Sequence, residues 1–257
     1  MRQKIKSLIE KIFQPLAKKL GYTKVTQQGQ EIINKNNLLD NFFGVLRSIN
    51  FIPQNIVDVG ANRGGWTRET LRYFPKAYYT LFEPQSQLKQ YINDVLVKNP
   101  KVTLHAVGVG SKSGVFKFTI VDRDDSCSFS YSEDEAKNAG FTQIDIPVVT
   151  LNDFLAKKNL PNPDLIKIDA EGLDLEVLEG ASTYFGKTEI FMVESSVVNR
   201  TFDNSVLKMM SFMDTKGYKL FDLTDLNRTQ KNNALWLVEL VFIKKNGIID
   251  NSINSYV

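Results

Sequence analysis

The chain has 257 residues, enough for one large α/β domain with an extension. Its 42% hydrophobic and 24% charged composition is that of an ordinary globular protein, and a net charge of +3 is too small to argue for a nucleic-acid partner. The single cysteine, Cys127, excludes an internal disulfide and a cysteine-based zinc cage, and fits a reducing, cytoplasmic setting.

No run of ~18 apolar residues is present to span a bilayer, and the N-terminus lacks the apolar core of a secretory signal. Residues 1–24 set Arg2, Lys4, Lys6, Lys11, Lys18, Lys19 and Lys24 against one acid, Glu10, with Ile5, Leu8, Ile9, Ile12, Leu16 and Leu20 at helical spacing. A basic amphipathic helix of this kind lies against anionic lipid, here on the inner membrane face, or packs on the domain or a partner protein; Pro15 kinks it. Residues 31–50 continue as helix, and Pro53 marks the end of this helical extension, placed at residues 1–50.

Ile56, Val57 and Val59 read as a buried strand, interrupted near its end by Asp58. Gly60, Gly64 and Gly65 follow, and beyond Thr67 the pattern becomes helical. A strand feeding a helix through a glycine-rich turn is where an α/β sheet binds a nucleotide-like cofactor, because the backbone can approach closely and the helix offers free N–H groups. The order Gly60-Ala61-Asn62-Arg63-Gly64-Gly65 fails the dinucleotide spacing G-x-G-x-x-G and lacks the Gly-Lys-Ser/Thr of a phosphate loop, so NAD is the weaker choice. Asp58 repels a pyrophosphate but suits an ammonium. S-adenosylmethionine carries both signs on its amino-acid head and no phosphate, and matches better.

Glu83 ends a second strand-like run, residues 77–82, at the position where a carboxylate accepts both ribose hydroxyls; Pro84 then stops the strand and opens a helix over residues 85–98. Residues 102–107 give the third strand. In this fold class its end lies beside the adenine ring, which puts Ala106, Val107 and the only histidine, His105, close to the cofactor. His105 is a candidate general base, with a packed histidine as the alternative.

Residues 114–150 are a strand-rich insertion. Strands over 115–121 and 143–149 flank a polar, acidic stretch, 122–138, which reads as disordered or as a functional lid. As a lid on the substrate it presents Ser126, Ser128 and Tyr131. Residues 150–153 look like a helix cap. Residues 165–168 form a buried parallel strand with Asp169 at its carboxyl end, where open sheets place their active sites. Lys167, Asp169 and Glu171 share one side of an extended chain, so the ammonium offsets the carboxylates' repulsion. The fifth strand, residues 189–196, brings Glu194 beside Asp169. A helix over 203–217 and two antiparallel strands, 218–222 and 234–243, complete a domain over residues 51–245, and residues 246–257 read as a polar tail.

Four blocks then carry a resemblance: Asp58-Val-Gly-Ala-Asn-x-Gly-x-x-Thr67, Phe82-Glu83-Pro84, Leu165-Ile-Lys-Ile-Asp-Ala-Glu-Gly172 and Leu178-Glu-Gly-Ala181. In this order they resemble the FkbM family of S-adenosylmethionine-dependent methyltransferases over about residues 55–195; where the family carries a Glu, this chain has Asp174. The resemblance implies a Rossmann-like class I methyltransferase fold, a mostly parallel seven-stranded sheet with helices on both faces. It also implies methyl transfer to a hydroxyl of a sugar in a bacterial glycan or glycosylated metabolite.

Cofactor contacts are then expected from Asp58, Gly60, Ala61, Asn62, Gly64, Thr67, Glu83, Pro84, Ala106, Val107 and Asp169. The acceptor's proton falls to Asp169, Glu171, Glu194 or His105, in that order. Alternatively Asp169 and Glu194 hold Mg²⁺, which lowers the hydroxyl's pKa directly. Asp-Ala-Glu-Gly stands where an adenine N-methyltransferase has Asn/Asp-Pro-Pro-aromatic, which argues against base methylation. Two competing readings are a non-catalytic cofactor-binding scaffold in a glycan-assembly complex and an NAD-dependent sugar-modifying enzyme.

Overall fold

The computed structural model describes residues 22–23, 33–34, 37–198 and 204–253. The basic amphipathic segment expected over residues 1–24 lies outside the described residues, apart from Tyr22 and Thr23, which pair antiparallel with Asn34 and Ile33. Among the described residues no helix is long and apolar enough to cross a membrane.

The first half runs α1 (Leu38–Ser48), β1 (Asn55–Val59), α2 (Gly65–Tyr73), β2 (Tyr78–Phe82), α3 (Lys89–Lys98) and β3 (Val102–His105). An insertion comes next, with β4 (Gly108–Val109), β5 (Gly114–Ile120), α4 (Glu133–Ala139) and β6 (Thr142–Val149). The second half is α5 (Leu151–Lys157), β7 (Leu165–Ile168), α6 (Asp174–Gly180), β8 (Ile190–Ser196), α7 (Val206–Thr215), β9 (Tyr218–Arg228), β10 (Leu235–Lys244) and α8 (Ile248–Ser252).

Seven strands form the main sheet in the order β9-β10-β8-β7-β1-β2-β3. All neighbours from β8 to β3 are parallel, while β10 runs antiparallel to both β8 and β9. Parallel strands covered on both faces read as continuous apolar runs, and β7 is buried at every position, Lys167 included. Alternate side chains divide two cores. Val57, Val59, Ile166, Ile168, Phe191 and Val193 pack with α5, α6 and α7. On the other face Ile56, Leu165, Ile190, Met192 and Val241 pack with α1, α2, α3 and α8.

Four expectations change. Phe42, Phe43 and Leu46 of α1 are fully buried against the sheet, so residues 38–48 belong to the domain and not to a separate extension. Ile249 of α8 is equally buried, and Ile248 N–H donates to Glu189 Oε2 at 2.8 Å, so residues 248–252 are packed structure rather than tail. The third strand ends at His105, because Gly108 and Val109 pair with Val148 and Val149 in a separate three-stranded sheet, β4-β6-β5. The polar stretch 122–138 contains α4, opened by a capping box between Ser132 and Glu135 and closed by Gly140.

Candidate active site

The carboxyl ends of β1, β2 and β7 open onto one cleft, the edge at which open α/β sheets bind their ligands. Val59, Gly60 and Phe82 form its floor, residues 83–85 and 107–109 one wall, and residues 169–171 the other. Gly60 has φ of 76°, and a Cβ there would lie 1.9 Å from the carbonyl oxygen of Asp169. Only glycine lets the β1 turn rest on the end of β7.

That turn is locked to β2. Gly60 and Ala61 both donate N–H to the Phe82 carbonyl at 3.0 Å. Asn62, itself at φ 44°, donates its N–H to Glu83 Oε2 at 2.7 Å, while Gln85 N–H reaches Glu83 Oε1 at 2.9 Å. Burial pushes the Glu83 carboxyl up, and these two amides pull it back. The carboxylate so held lines the cleft. Pro84 also lines the cleft. Ala61 is buried in the core on the α1 face, and Gly64 serves as the N-cap of α2.

Asp58 is placed differently from its expected position against an ammonium in the cleft. It shares a strand face with Ile56, not with Val59, so its side chain lies under α2, fully buried. Thr67 Oγ1 donates to Asp58 Oδ2 at 2.6 Å, which pins α2 to β1. Asp58 Oδ1 accepts no hydrogen bond and stands 3.8 Å from Lys167 Nζ. Burial pushes the Asp58 carboxyl up, opposed by Lys167 and the Thr67 hydroxyl.

His105 is likewise outside the cleft lining, as is Ala106, whereas Val107 lines it. The imidazole packs between Phe82 and Phe154, with ring centroids 5.6 and 4.7 Å away. Burial, aided by Lys158, pushes its pKa down, so it is a neutral packed ring.

The acidic edge forms around Lys167. Its ammonium bonds Asp169 Oδ2 at 2.9 Å. Burial opposes that charge, but Asp169, Asp58 and Glu239 outweigh it and push the pKa of Lys167 up. Val193 pairs with Ile168, so Glu194 falls beside Asp169, and across β10 its partner is Glu239. Burial, then Asp169, Asp174 and Glu171, push Glu194 up to about 10, although Lys167 pulls the other way. Glu194 Oε2 is shielded and has no hydrogen-bond partner. Burial holds Glu239 up at about 7, against Lys167 and the Thr224 hydroxyl that donates to it.

Asp174, also raised to about 7 by burial, fixes the loop after β7. It accepts Ala170 N–H at 2.9 Å and Asn204 Nδ2 at 2.6 Å. Within that loop Glu171 takes φ 49°, an uncommon conformation for a side-chain-bearing residue that clusters at functional sites. Asp169 and Glu171 line the cleft, with Glu194 behind Asp169. The Glu171 carbonyl accepts the hydroxyls of Ser128 at 3.0 Å and Ser130 at 3.2 Å.

Ser126, Ser128 and Tyr131 are therefore not brought together as substrate contacts. Ser128 is buried on Glu171, Tyr131 packs edge-on to Phe141, and Ser126 ends a 3₁₀ turn. The sequence alone did not point to Gln85, Phe118, Asp124, Cys127 and Phe129 as cleft residues. Their partners lie far along the chain, and the one local signal was the length of the polar stretch.

A mostly parallel seven-stranded sheet with an antiparallel strand next to its edge, a glycine turn after β1 and an acid after β2 defines the class I methyltransferase fold. The chain belongs to the FkbM family of S-adenosylmethionine-dependent methyltransferases, whose domain matches residues 58–220. It is 24% identical over 240 residues to methyltransferase sdnD of Sordaria araneosa, covering 81% of this chain and 88% of that protein. It is 24% identical over 152 residues to the 2-O-methyltransferase NoeI of Sinorhizobium fredii (strain NBRC 101917 / NGR234), covering 55% of this chain and 63% of that one. Among solved structures it resembles methyltransferase FkbM from Methylobacillus flagellatus KT, with TM-score 0.49 and 18% identity, over 73% of this chain and 43% of that chain.

The cleft suits S-adenosylmethionine in the glycine turn at Gly60 and in the acid, Glu83, after β2. It does not suit Mg²⁺. Asp169 Oδ2 is already taken by Lys167, and among the described residues no three His, Cys, Asp or Glu side chains converge as metal ligands.

Proposed function

We propose that the chain is an S-adenosylmethionine-dependent O-methyltransferase acting on a hydroxyl of a sugar in a bacterial glycan or glycosylated metabolite. The observation that carries this reading is the unequal pair at the ligand edge. Asp169 opens on the cleft with an ammonium at its back, and Glu194 beside it is shielded and pushed up to about 10.

When bound, the cofactor supplies an activated methyl group. Glu83 holds the ribose, and the turn at Gly60 and Asn62 holds the head close to the β7 edge. Asp169 accepts the proton that the acceptor hydroxyl loses, a contribution of typically ~10²–10⁴ in rate. Glu194, shielded behind Asp169, backs that carboxylate rather than touching the acceptor, and Asp169 and Glu171 face the cleft where the acceptor is held for in-line transfer. A wall with one ammonium among several carboxyls favours an uncharged ring over a phosphorylated or carboxylated one. The 2-O-methyltransferase among the relatives supports oxygen as the acceptor atom.

The test is S-adenosylhomocysteine release from the full chain across a panel of neutral glycosides, with product mass, and calorimetry with S-adenosylmethionine and NAD. Turnover that falls at least ~10²-fold in Asp169→Asn is expected. Cofactor binding without release on any glycoside would favour the scaffold reading, and NAD binding the NAD-dependent sugar-modifying one.

A further inference from the structure

Residues 124–130 cross the cleft from one wall to the other and are tied at both ends. At the first end the Asp124 carbonyl accepts Asn62 Nδ2 at 3.2 Å and Gln85 Nε2 at 2.8 Å. These are the same two residues whose backbone amides hold Glu83. The Asp124 carboxylate pairs with Arg63 Nε at 2.6 Å, and Arg63 is steadied by the Tyr91 ring 4.4 Å away. At the other end Ser128 and Ser130 hold the Glu171 carbonyl.

Between the ties the chain turns inward, and Cys127 and Phe129 line the cleft together with Phe118. Phe129 stacks edge-on to Phe118 at 4.7 Å and lies over Gly108, where a Cβ would come within 2.6 Å of its ring. The absence of a side chain at Gly108 is what lets the ring lie across the wall.

We propose that residues 124–130 are a strap that roofs the cofactor, not the acceptor, and that it lifts at its Asp124 end to admit the donor and release its spent form. The inference rests on the cofactor reading above. The two ends differ in strength. The Arg63–Asp124 pair is water-exposed, with side chains 55% and 27% accessible, and such pairs contribute little. Ser128 pairs main chain to main chain with Thr119 at 2.8 and 3.2 Å, whereas Asp124 is held across the cleft by the side chains of Asn62, Gln85 and Arg63, so the Ser128 end acts as the hinge side. The apolar inner lining of Cys127, Phe118 and Phe129 suits a heteroaromatic ring.

Cys127 is the chain's sole thiol and is 5% exposed, so its rate of reaction with a small maleimide reports strap opening in the intact protein. Asp124→Ala and Arg63→Ala should each speed labelling about fivefold. Saturating S-adenosylmethionine should slow labelling in wild type, and S-adenosylhomocysteine should dissociate faster from both variants. Gln85→Leu, which removes a tie to the Asp124 carbonyl, should act in the same direction. Labelling rates unmoved in all three variants would overturn the strap. So would cofactor that binds by calorimetry but leaves Cys127 unprotected, or variants that change acceptor KM with an unchanged cofactor off-rate. Absence of cofactor binding by calorimetry would instead strike the cofactor reading, and the strap as a cofactor roof would fall with it; variant labelling without ligand still reports whether the Asp124 ties hold.

Discussion

Lys167 Nζ and Asp169 Oδ2 stand 2.9 Å apart, with the ammonium almost wholly shielded from water. Asp58, Glu194 and Glu239 draw on the same positive charge. The edge of the sheet thus holds several carboxyls around one ammonium, and each remaining charge is settled by protonation or by hydrogen bonds.

Removing that ammonium leaves buried carboxylates without a counter-charge. Lys167→Met should lower stability by ~3–5 kcal/mol, the usual cost of orphaning a buried ion-pair partner. Lys167→Arg should recover part of it. Urea midpoints of the three proteins decide the matter, and a Met variant as stable as wild type would refute the charge-hub account.

Glu194 makes stability depend on pH with a definite sign. Its folded pKa is pushed up to about 10, against ~4.3 for an unfolded glutamate. Its contribution is complete below the unfolded value and is lost as pH rises toward the folded one. Between about pH 6 and 9 wild type should lose stability relative to Glu194→Gln, at no more than ~1.4 kcal/mol per pH unit. Denaturant unfolding at several pH values checks this; parallel curves for the two proteins would contradict it.

Gly60 and Gly65 should respond oppositely to alanine. At Gly60 the new Cβ meets the Asp169 carbonyl and φ is positive, so Gly60→Ala should cost more than ~1 kcal/mol and weaken S-adenosylmethionine binding. Gly65 starts α2 and a Cβ there meets nothing within 4 Å, so Gly65→Ala should be neutral or stabilising by up to ~1 kcal/mol. Thermal melts and calorimetry separate the two sites, and equal behaviour would disprove the packing argument.

Asp58 and Glu83 should separate into anchor and ligand contact. Glu83→Ala should weaken S-adenosylmethionine about tenfold or more, since it opens the wall of the cleft itself. Asp58→Asn should lower the melting temperature while changing cofactor affinity less than Glu83→Ala does. A larger affinity loss at Asp58 would restore it as a direct partner of the ligand.

Much of this arrangement was legible in the sequence for a simple reason. Glu83, Asp169 and Glu194 each come directly after a short apolar run, so the strand that carries them also fixes which edge they occupy. What stayed hidden depends on partners far away in the chain. Asp124 meets Gln85 and Asn62, 39 and 62 residues distant, and nothing local announces either bond. Glu239 became part of the edge only through the register that sets it opposite Glu194. His105 was expected at the cofactor because it lies at the end of the third strand, but its ring packs against Phe82 and Phe154 instead of the cleft. Pairing of Gly108 with Val148 draws the chain into another sheet, and the imidazole stays against Phe154. Phe42 and Phe43 showed an amphipathic helix, but not that its apolar side lies against β9 and α2, with Phe42 on Phe221 and Phe43 on Trp66 and Tyr73.

The contact between Gly60 and the Asp169 carbonyl has a practical consequence for anyone rebuilding this enzyme. Two stretches more than a hundred positions apart meet with no more than a hydrogen atom between them. Transplanting either stretch alone from a relative imports a main-chain path shaped for a different counterpart. Retargeting by chimera should therefore move residues 58–67 and 165–172 as a set, or leave both in place and exchange only the insertion over residues 114–150.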